Sequence, residues 1–248
     1  MVDDAHDMNS PLRGQDAEKV AAIFSSVAPH YDRMNDLMSG GLHRYWKHRL
    51  VDALYVRGRA RHVAVHIDAA GGTGDIAHLV ARAVPADAAF ESHVIDRNAG
   101  MLAVGAARTD DRRIHFTRGD AEALPVASAC ADFYTIAFGI RNVADRQKAL
   151  GEAYRVLRSG GRFVCLEFSQ PTATLARRLY DAYSFAVIPR LGARIAGDAD
   201  AYRYLVESIR QFPAPETFAG MVEAAGFARV RVVRLSGGIA TLHTGWRL

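Results

Sequence analysis

Gly71, Gly72 and Gly74 follow the apolar run VAVHID and precede a helical pattern that starts at Ile76. Glycines at this density let the backbone turn sharply and let a ligand press against bare main chain. The order strand, glycine turn, helix is that of a nucleotide-type site at the C-terminal edge of a parallel sheet. The dinucleotide fingerprint is absent, because Ala77 stands where a reading from Gly72 needs its third glycine. A reading from Gly71 fails sooner, at Thr73. About one βαβ unit downstream, HVID ends in Asp96, where a carboxylate can accept two hydrogen bonds from a ribose diol. That acid identifies a nucleoside without choosing a reaction. RGDAEALP, residues 118–125, follows the strand-like IHFT and puts Asp120 and Ala121 at a third strand end. An acid followed by a small residue suits an adenine edge, with Asp120 accepting from the exocyclic amine. Asp120 as the cap of a following helix is the alternative that the residues leave open.

A regular alternation positions these groups. Apolar runs at 63–68, 93–96, 113–117, 132–138 and 162–168 read as strands, with helical spacing between them. The helix expected over 146–157 turns Ala149, Leu150, Ala153, Tyr154 and Leu157 to one face, and Ser159-Gly160-Gly161 is expected to end it. The alternation predicts an α/β fold with a right-handed, doubly wound, mostly parallel sheet. Residues 1–15 are polar and read as a mobile N-terminus. Residues 16–248 read as a single domain with two helical additions, at 16–58 and 170–213. In the first, Val20, Ile23, Phe24 and Val27 recur at helical spacing until Pro29 interrupts, and Gly40 and Gly41 break the short helices beyond it. A helix at 216–225 and strands at 229–235 and 239–246, joined through Gly237-Gly238, close the chain. An acid closing each early strand, with a terminal hairpin, favours a methyltransferase over a dehydrogenase. Antiparallel edge strands are common on α/β sheets, so the hairpin alone does not decide it.

The chain has 248 residues, 50% of them hydrophobic, enough for one α/β domain with a full core. It contains no run of about eighteen apolar residues such as a bilayer span needs. The acidic start MVDDAHDMNS is unlike a secretory or transit signal, so the expected location is cytoplasmic. The net charge is +4, but the basic residues lie in short clusters such as RGRAR at 57–61 without aromatic partners. A nucleic-acid partner is not expected; a solvated surface comes first and weak attraction to anionic lipid second. Cys130 and Cys165 lack ligand spacing and read as reduced core residues. The ten histidines show no metal pattern, and no metal is assigned.

Larger blocks then match a known family. FSSVAPHYDRMNDLMSGGLHRYWK at 24–47, DAAGGTGDIA at 68–77 and FGIRNVADRQKALGEAYRVLRSGGRFVCLEFS at 138–169 resemble signatures of the ubiquinone/menaquinone-biosynthesis C-methyltransferases. GDADAYRYLVESIRQFP at 197–213 and GGIATLHTGW at 237–246 resemble their C-terminal pattern. The resemblance runs from about Ala17 to the end. It implies a seven-stranded sheet of the class I S-adenosylmethionine-dependent methyltransferase type, with N-terminal helices and a helical insertion over the acceptor site. It implies S-adenosylmethionine as the methyl donor and the ring carbon of a polyprenylated quinol as the acceptor. Carried over by position, Thr73, Asp96, Asp120 and Ala121 match donor-contacting residues, and Gly71 opens the glycine loop expected to hold the donor. Ala137 stands where some members have a serine, so one hydroxyl contact to the donor is absent, a difference of about 1 kcal/mol. Peripheral association with the inner face of the cytoplasmic membrane, a homodimer and a quinone-synthesis complex are the partners this reading admits.

An aromatic carbon is a poor nucleophile until a neighbouring hydroxyl ionises and pushes electron density to the ortho position. Such a phenol has a free pKa of about 10, and lowering it by two units takes about 2.7 kcal/mol. Arg141, in FGIRN, follows the fourth strand and is the catalytic candidate. Its guanidinium is a permanent cation that holds a phenolate without acting as a base. A helix-cap or surface salt bridge is the competing account of Arg141. His30 or Asp32 could take the proton through water, Tyr31, Asp32 and Asn35 could close a lid, and residues 185–188 could line a groove for the isoprenoid tail. Tyr202, Arg203 and Tyr204 read as core or as a substrate cage. The rivals are a methyltransferase of another small phenol or lipid, and a non-catalytic donor-binding scaffold of a quinone-synthesis assembly.

Overall fold

The computed structural model describes residues 36, 39–55, 64–85, 88–170 and 199–248. His30, Tyr31, Asp32, Asn35 and the 185–188 groove lie outside these residues, as does the helix expected from Val20 to Val27.

In chain order the elements are α1 (Leu42–Leu54), β1 (Ala64–Ala69), α2 (Asp75–Ala83), β2 (Phe90–Asp96), α3 (Ala99–Arg108), β3 (Ile114–Arg118) and β4 (Ala131–Ala137). They continue with α4 (Arg146–Val156), β5 (Leu157–Phe168), α5 (Ala199–Gln211), α6 (Pro215–Ala224), β6 (Ala228–Leu235) and β7 (Ala240–Arg247). The seven strands form one sheet in the order β3-β2-β1-β4-β5-β7-β6. Strands β1 to β5 run parallel, and β7 pairs antiparallel with both β5 and β6. The doubly wound sheet that the sequence predicts is therefore present, with its closing hairpin. Strand order reverses between β1 and β4, and the crevice at such a switch point is where open α/β sheets bind ligands.

Two apolar layers hold the sheet. On one face Trp46, Leu50 and Leu54 of α1 and Ile76 and Val80 of α2 pack on Val94, Phe133 and Val164. On the other, Ala149, Leu150 and Ala153 of α4 and Phe218 and Val222 of α6 pack on Ile67, Tyr134 and Phe163. Strand β4 is buried at every position except Ala137, as a central parallel strand covered on both faces must be.

Three boundaries differ from the sequence reading. The fourth helix ends at Val156, and Ser159-Gly160-Gly161 lies inside β5. There the β4 register jumps from Ala131↔Leu157 to Phe133↔Arg162. Gly160 takes φ +76, so these glycines make a bulge in the strand and leave the helix uncapped by them. Strand β2 begins at Phe90, upstream of the apolar HVID. No helix follows Asp120 directly: it bridges to Ala123 in a turn, and its Oδ1 accepts from the Glu122 N–H at 2.9 Å.

Candidate active site

The loops after β1, β2, β3 and β4 converge on one cavity at the C-terminal edge of the sheet. Gly71, Thr73, Asp96, Asp120 and Ala121 all line it, so positions far apart in sequence meet at one cavity. Ala137 lines it as well.

The glycine loop has little freedom to be anything else. A Cβ on Gly71 would lie 2.8 Å from the Asp68 carbonyl oxygen, from Asp68 Oδ2 and from Val94 Cγ1. Gly74 caps α2 with φ +81, a conformation that costs other residues strain. The loop ends at the N-terminus of α2, where unpaired N–H groups and the helix dipole favour anionic or electron-rich ligand groups. Across the crevice, a Cβ on Gly139 would lie 2.6 Å from Ala70 Cβ, so the β1 and β4 loops touch and fix each other.

Asp96 is oriented before any ligand arrives. Its Oδ2 accepts from the Gly72 N–H at 2.9 Å and its Oδ1 from the Asn98 N–H at 2.8 Å. Each oxygen keeps lone-pair capacity on the cavity side, which suits a diol. Burial raises the Asp96 pKa, and the Asn98 and Gly72 N–H groups act against it. Asp120 is more open, with Arg97 Nη1 3.6 Å from its Oδ2. Glu122 uses Oε1 to accept from the Ala144 and Asp145 N–H groups at 3.2 and 3.1 Å, tying the third strand end to the segment after β4.

Arg141 sits differently from the sequence expectation. Its side chain is wholly buried, and Nη1 reaches Glu167 Oε1 at 2.7 Å. The same nitrogen donates to the Phe138 carbonyl oxygen, while the Arg141 N–H donates to Glu167 Oε2 at 3.3 Å. Arg141 is not among the cavity-lining residues, whereas Phe138, Gly139 and Asn142 on the same turn are. The side chain is neither a helix cap nor a surface salt bridge. It is a clamp behind the turn. Phe138 needs that clamp, since its φ is +56, a strain of about 1–3 kcal/mol for a residue with a side chain. Its ring is held against Phe168 at 4.7 Å and Trp46 at 6.4 Å between centroids. From α5, Tyr204 Oη donates to Asn142 Oδ1 at 3.1 Å; the side chains of Tyr202 and Arg203 lie outside the described residues.

Sequence reasoning noted Asp68 only as an acid closing a strand and gave no role to it, to Lys47 or to Met101, which also line the cavity. Asp68 closes β1 as Asp96 closes β2, a parallel that the sequence displays. Lys47 could not be found that way: it comes from α1, and its Nζ pairs with Asp75 Oδ2 at 2.7 Å, pinning α1 to the first turn of α2. Asp75 is 37% exposed, so the pair contributes about 1 kcal/mol or less. Lys47→Met is expected to leave the melting temperature within a few degrees and to weaken donor binding about threefold to tenfold. Calorimetry beside a thermal scan checks both.

The sequence profile of the ubiE/COQ5 methyltransferase family matches residues 13–247. A ubiquinone/menaquinone biosynthesis C-methyltransferase from Methylobacterium nodulans is 56% identical over 235 residues, 93% of this chain and 91% of that protein. One from Bradyrhizobium diazoefficiens is 54% identical over 91% of this chain and 90% of that protein. Among solved structures, a Haemonchus contortus phosphoethanolamine N-methyltransferase in complex with S-adenosyl-L-methionine superposes with TM-score 0.60 at 15% identity. The match covers 95% of this chain and 58% of that one, and it is a likeness of fold.

Proposed function

The chain belongs to the ubiE/COQ5 methyltransferase family, and on that premise we propose that it methylates the ring carbon of a polyprenylated quinol in ubiquinone or menaquinone biosynthesis. The observation that carries this reading is the identity above 50% across nine-tenths of the chain with C-methyltransferases of that pathway. S-adenosylmethionine supplies an electrophilic methyl group on a sulfonium. The residues present suit such a donor: a glycine loop whose Gly71 lies so close to Asp68 and Val94 that no Cβ fits, so that bare main chain lines the cavity there, and a buried carboxylate at Asp68 whose Oδ2 has no hydrogen-bond partner among the described residues.

Each residue's proposed role follows from its place. Asp96 accepts from the ribose hydroxyls, and Asp120 with Ala121 frames the adenine. Gly71 and Thr73 leave the main chain open to the amino-acid end of the donor. The turn Phe138–Asn142 forms the wall between donor and acceptor, and Arg141 acts on the acceptor side through that turn as a positioning residue. The 170–213 insertion expected over the acceptor lies mostly outside the described residues. Because an isoprenoid tail partitions into the bilayer, the protein works as a peripheral enzyme at the cytoplasmic membrane face. No helix among the described residues is long and apolar enough to cross a membrane.

Quinone extracts from cells lacking the protein test the function. The expected result is accumulation of a quinone precursor one methyl group short, restored by the wild-type gene. A normal quinone profile overturns the reading. The donor-binding scaffold alternative is tested in the same cells by Arg141→Met combined with Glu167→Leu, which is expected to keep most of the stability and the donor affinity while losing turnover and which a scaffold would tolerate.

A further inference from the structure

Four polar side chains, all wholly buried, line up beneath the cavity floor: Ser92 on β2, His66 and Asp68 on β1, and Thr135 on β4. The register places His66 opposite Ser92 and Asp68 opposite Thr135, so all four project to the α1/α2 face. Ser92 Oγ lies 2.9 Å from His66 Nδ1 and Thr135 Oγ1 lies 2.8 Å from His66 Nε2. Thr135 Oγ1 in turn donates to Asp68 Oδ1 at 2.7 Å. Asp68 alone of the four reaches the cavity.

A hydroxyl has one hydrogen, and an ionised carboxylate only accepts. If Thr135 donates to Asp68, it must accept from His66, which fixes the hydrogen on Nε2 and leaves Nδ1 to accept from Ser92. If Asp68 Oδ1 carries a proton, every bond reverses. Asp68 then donates to Thr135, Thr135 donates to Nε2, and Nδ1–H donates to Ser92. Both arrangements satisfy each group, and the imidazole is neutral in both.

We propose that Ser92, His66 and Thr135 form a two-state relay that couples the ionisation of Asp68 to the tautomer of His66, and that a cationic ligand in the cavity sets its direction. In the switch one proton is taken up overall. Asp68 Oδ1 gains it, the two hydroxyls turn, and the imidazole exchanges its Nε2 hydrogen for one on Nδ1. His66 and Thr135 are positioning residues here, and the cationic ligand is the sulfonium donor, a point that rests on the function proposed above.

The electrostatics agree. Burial lifts the Asp68 pKa to about 7, against the Thr135 hydroxyl and the Ala77 N–H, with Asp75 and Asp96 adding to the rise. The Ala77 N–H makes no hydrogen bond of normal geometry to Oδ2. Burial first, and His93 after it, drops His66 to about 3, which keeps it neutral across the switch. Tyr134 also senses the Asp68 charge, and Lys47 faces the cavity but is paired with Asp75. A positive donor favours ionised Asp68, so affinity is highest above that pKa and falls as pH drops through it.

Nitrogen-15 spectra of histidine-labelled full-length protein, with His66→Gln to assign the signals, read the tautomer directly. At pH 8, and with S-adenosylmethionine bound, His66 is expected as Nε2–H; donor-free at pH 5.5 it is expected as Nδ1–H, with no imidazolium. Thr135→Val is expected to lock one tautomer at all pH values. Losing that hydrogen bond to the carboxylate should also raise the pH at which donor affinity falls by about one pH unit, a tenfold effect at fixed pH. Thr135→Ser should restore both. One tautomer throughout in the wild type, or an unchanged swap in Thr135→Val, overturns the relay. Failure to bind S-adenosylmethionine at any pH with the swap intact overturns only the donor reading.

Discussion

Asp96→Ala is expected to weaken S-adenosylmethionine binding by about a hundredfold or more. Two hydrogen bonds from a ribose diol to a carboxylate are worth about 1.5–3 kcal/mol each. The carboxylate costs little to organise, because the Gly72 and Asn98 N–H groups already hold its two oxygens. Alanine removes both ligand bonds and also releases Gly72, so the glycine loop is left with the Gly71 N–H bond to the Ile95 carbonyl oxygen as its hydrogen bond to β2. Asp96→Asn keeps the shape and one acceptor oxygen and should lose roughly tenfold. Its amide must turn an N–H₂ toward either Gly72 or Asn98, each of which is itself a donor. Isothermal calorimetry on the two variants checks the order. Affinity within twofold of wild type for Asp96→Ala would remove this carboxylate from the donor site.

Asp96 is legible in the sequence, whereas the surroundings of Lys47 and Arg141 are not, and both facts have one physical basis. Parallel strands buried on both faces must be apolar runs, and chain reversals at their ends expose loops that carry function. The strand–acid–turn pattern that ends VHID and HVID therefore marks both the element and the site. Local pattern fails where a residue's neighbours come from distant strands. Glu167 lies in the apolar run of β5, and nothing within that run shows that it faces Arg141. The relay is equally non-local, since His66, Ser92 and Thr135 meet only through strand register. The Ser159–Gly161 misreading is of another kind: a glycine pair suits a helix stop and a strand bulge alike, and only the pairing of β4 with β5 chooses.

Arg141 and Glu167 carry the second large effect. Removing one member of a buried ion pair strands the other and costs about 3–5 kcal/mol, whereas replacing both by apolar groups is near neutral. Arg141→Ala and Glu167→Ala are each expected to lower stability by that amount, and Arg141→Met with Glu167→Leu to recover most of it. Recovered stability should not bring recovered turnover. In the double variant the Phe138 carbonyl has lost its guanidinium donor, so the strained turn that lines the cavity can relax. Turnover should stay at least tenfold down while donor affinity holds within about threefold. Arg141→Lys tests the same point with the charge kept, because Nη1 alone donates to both Glu167 and Phe138 and the shorter lysine side chain must bring its Nζ to that same spot. Steady-state kinetics beside denaturant unfolding separate these effects. A clamp lowers kcat without moving its pH profile. Direct contact with the ionising hydroxyl would move the profile to higher pH when the cation is lost, since the phenol would then be harder to deprotonate. Full turnover in the double variant would make the pair purely structural and take Arg141 out of the reaction.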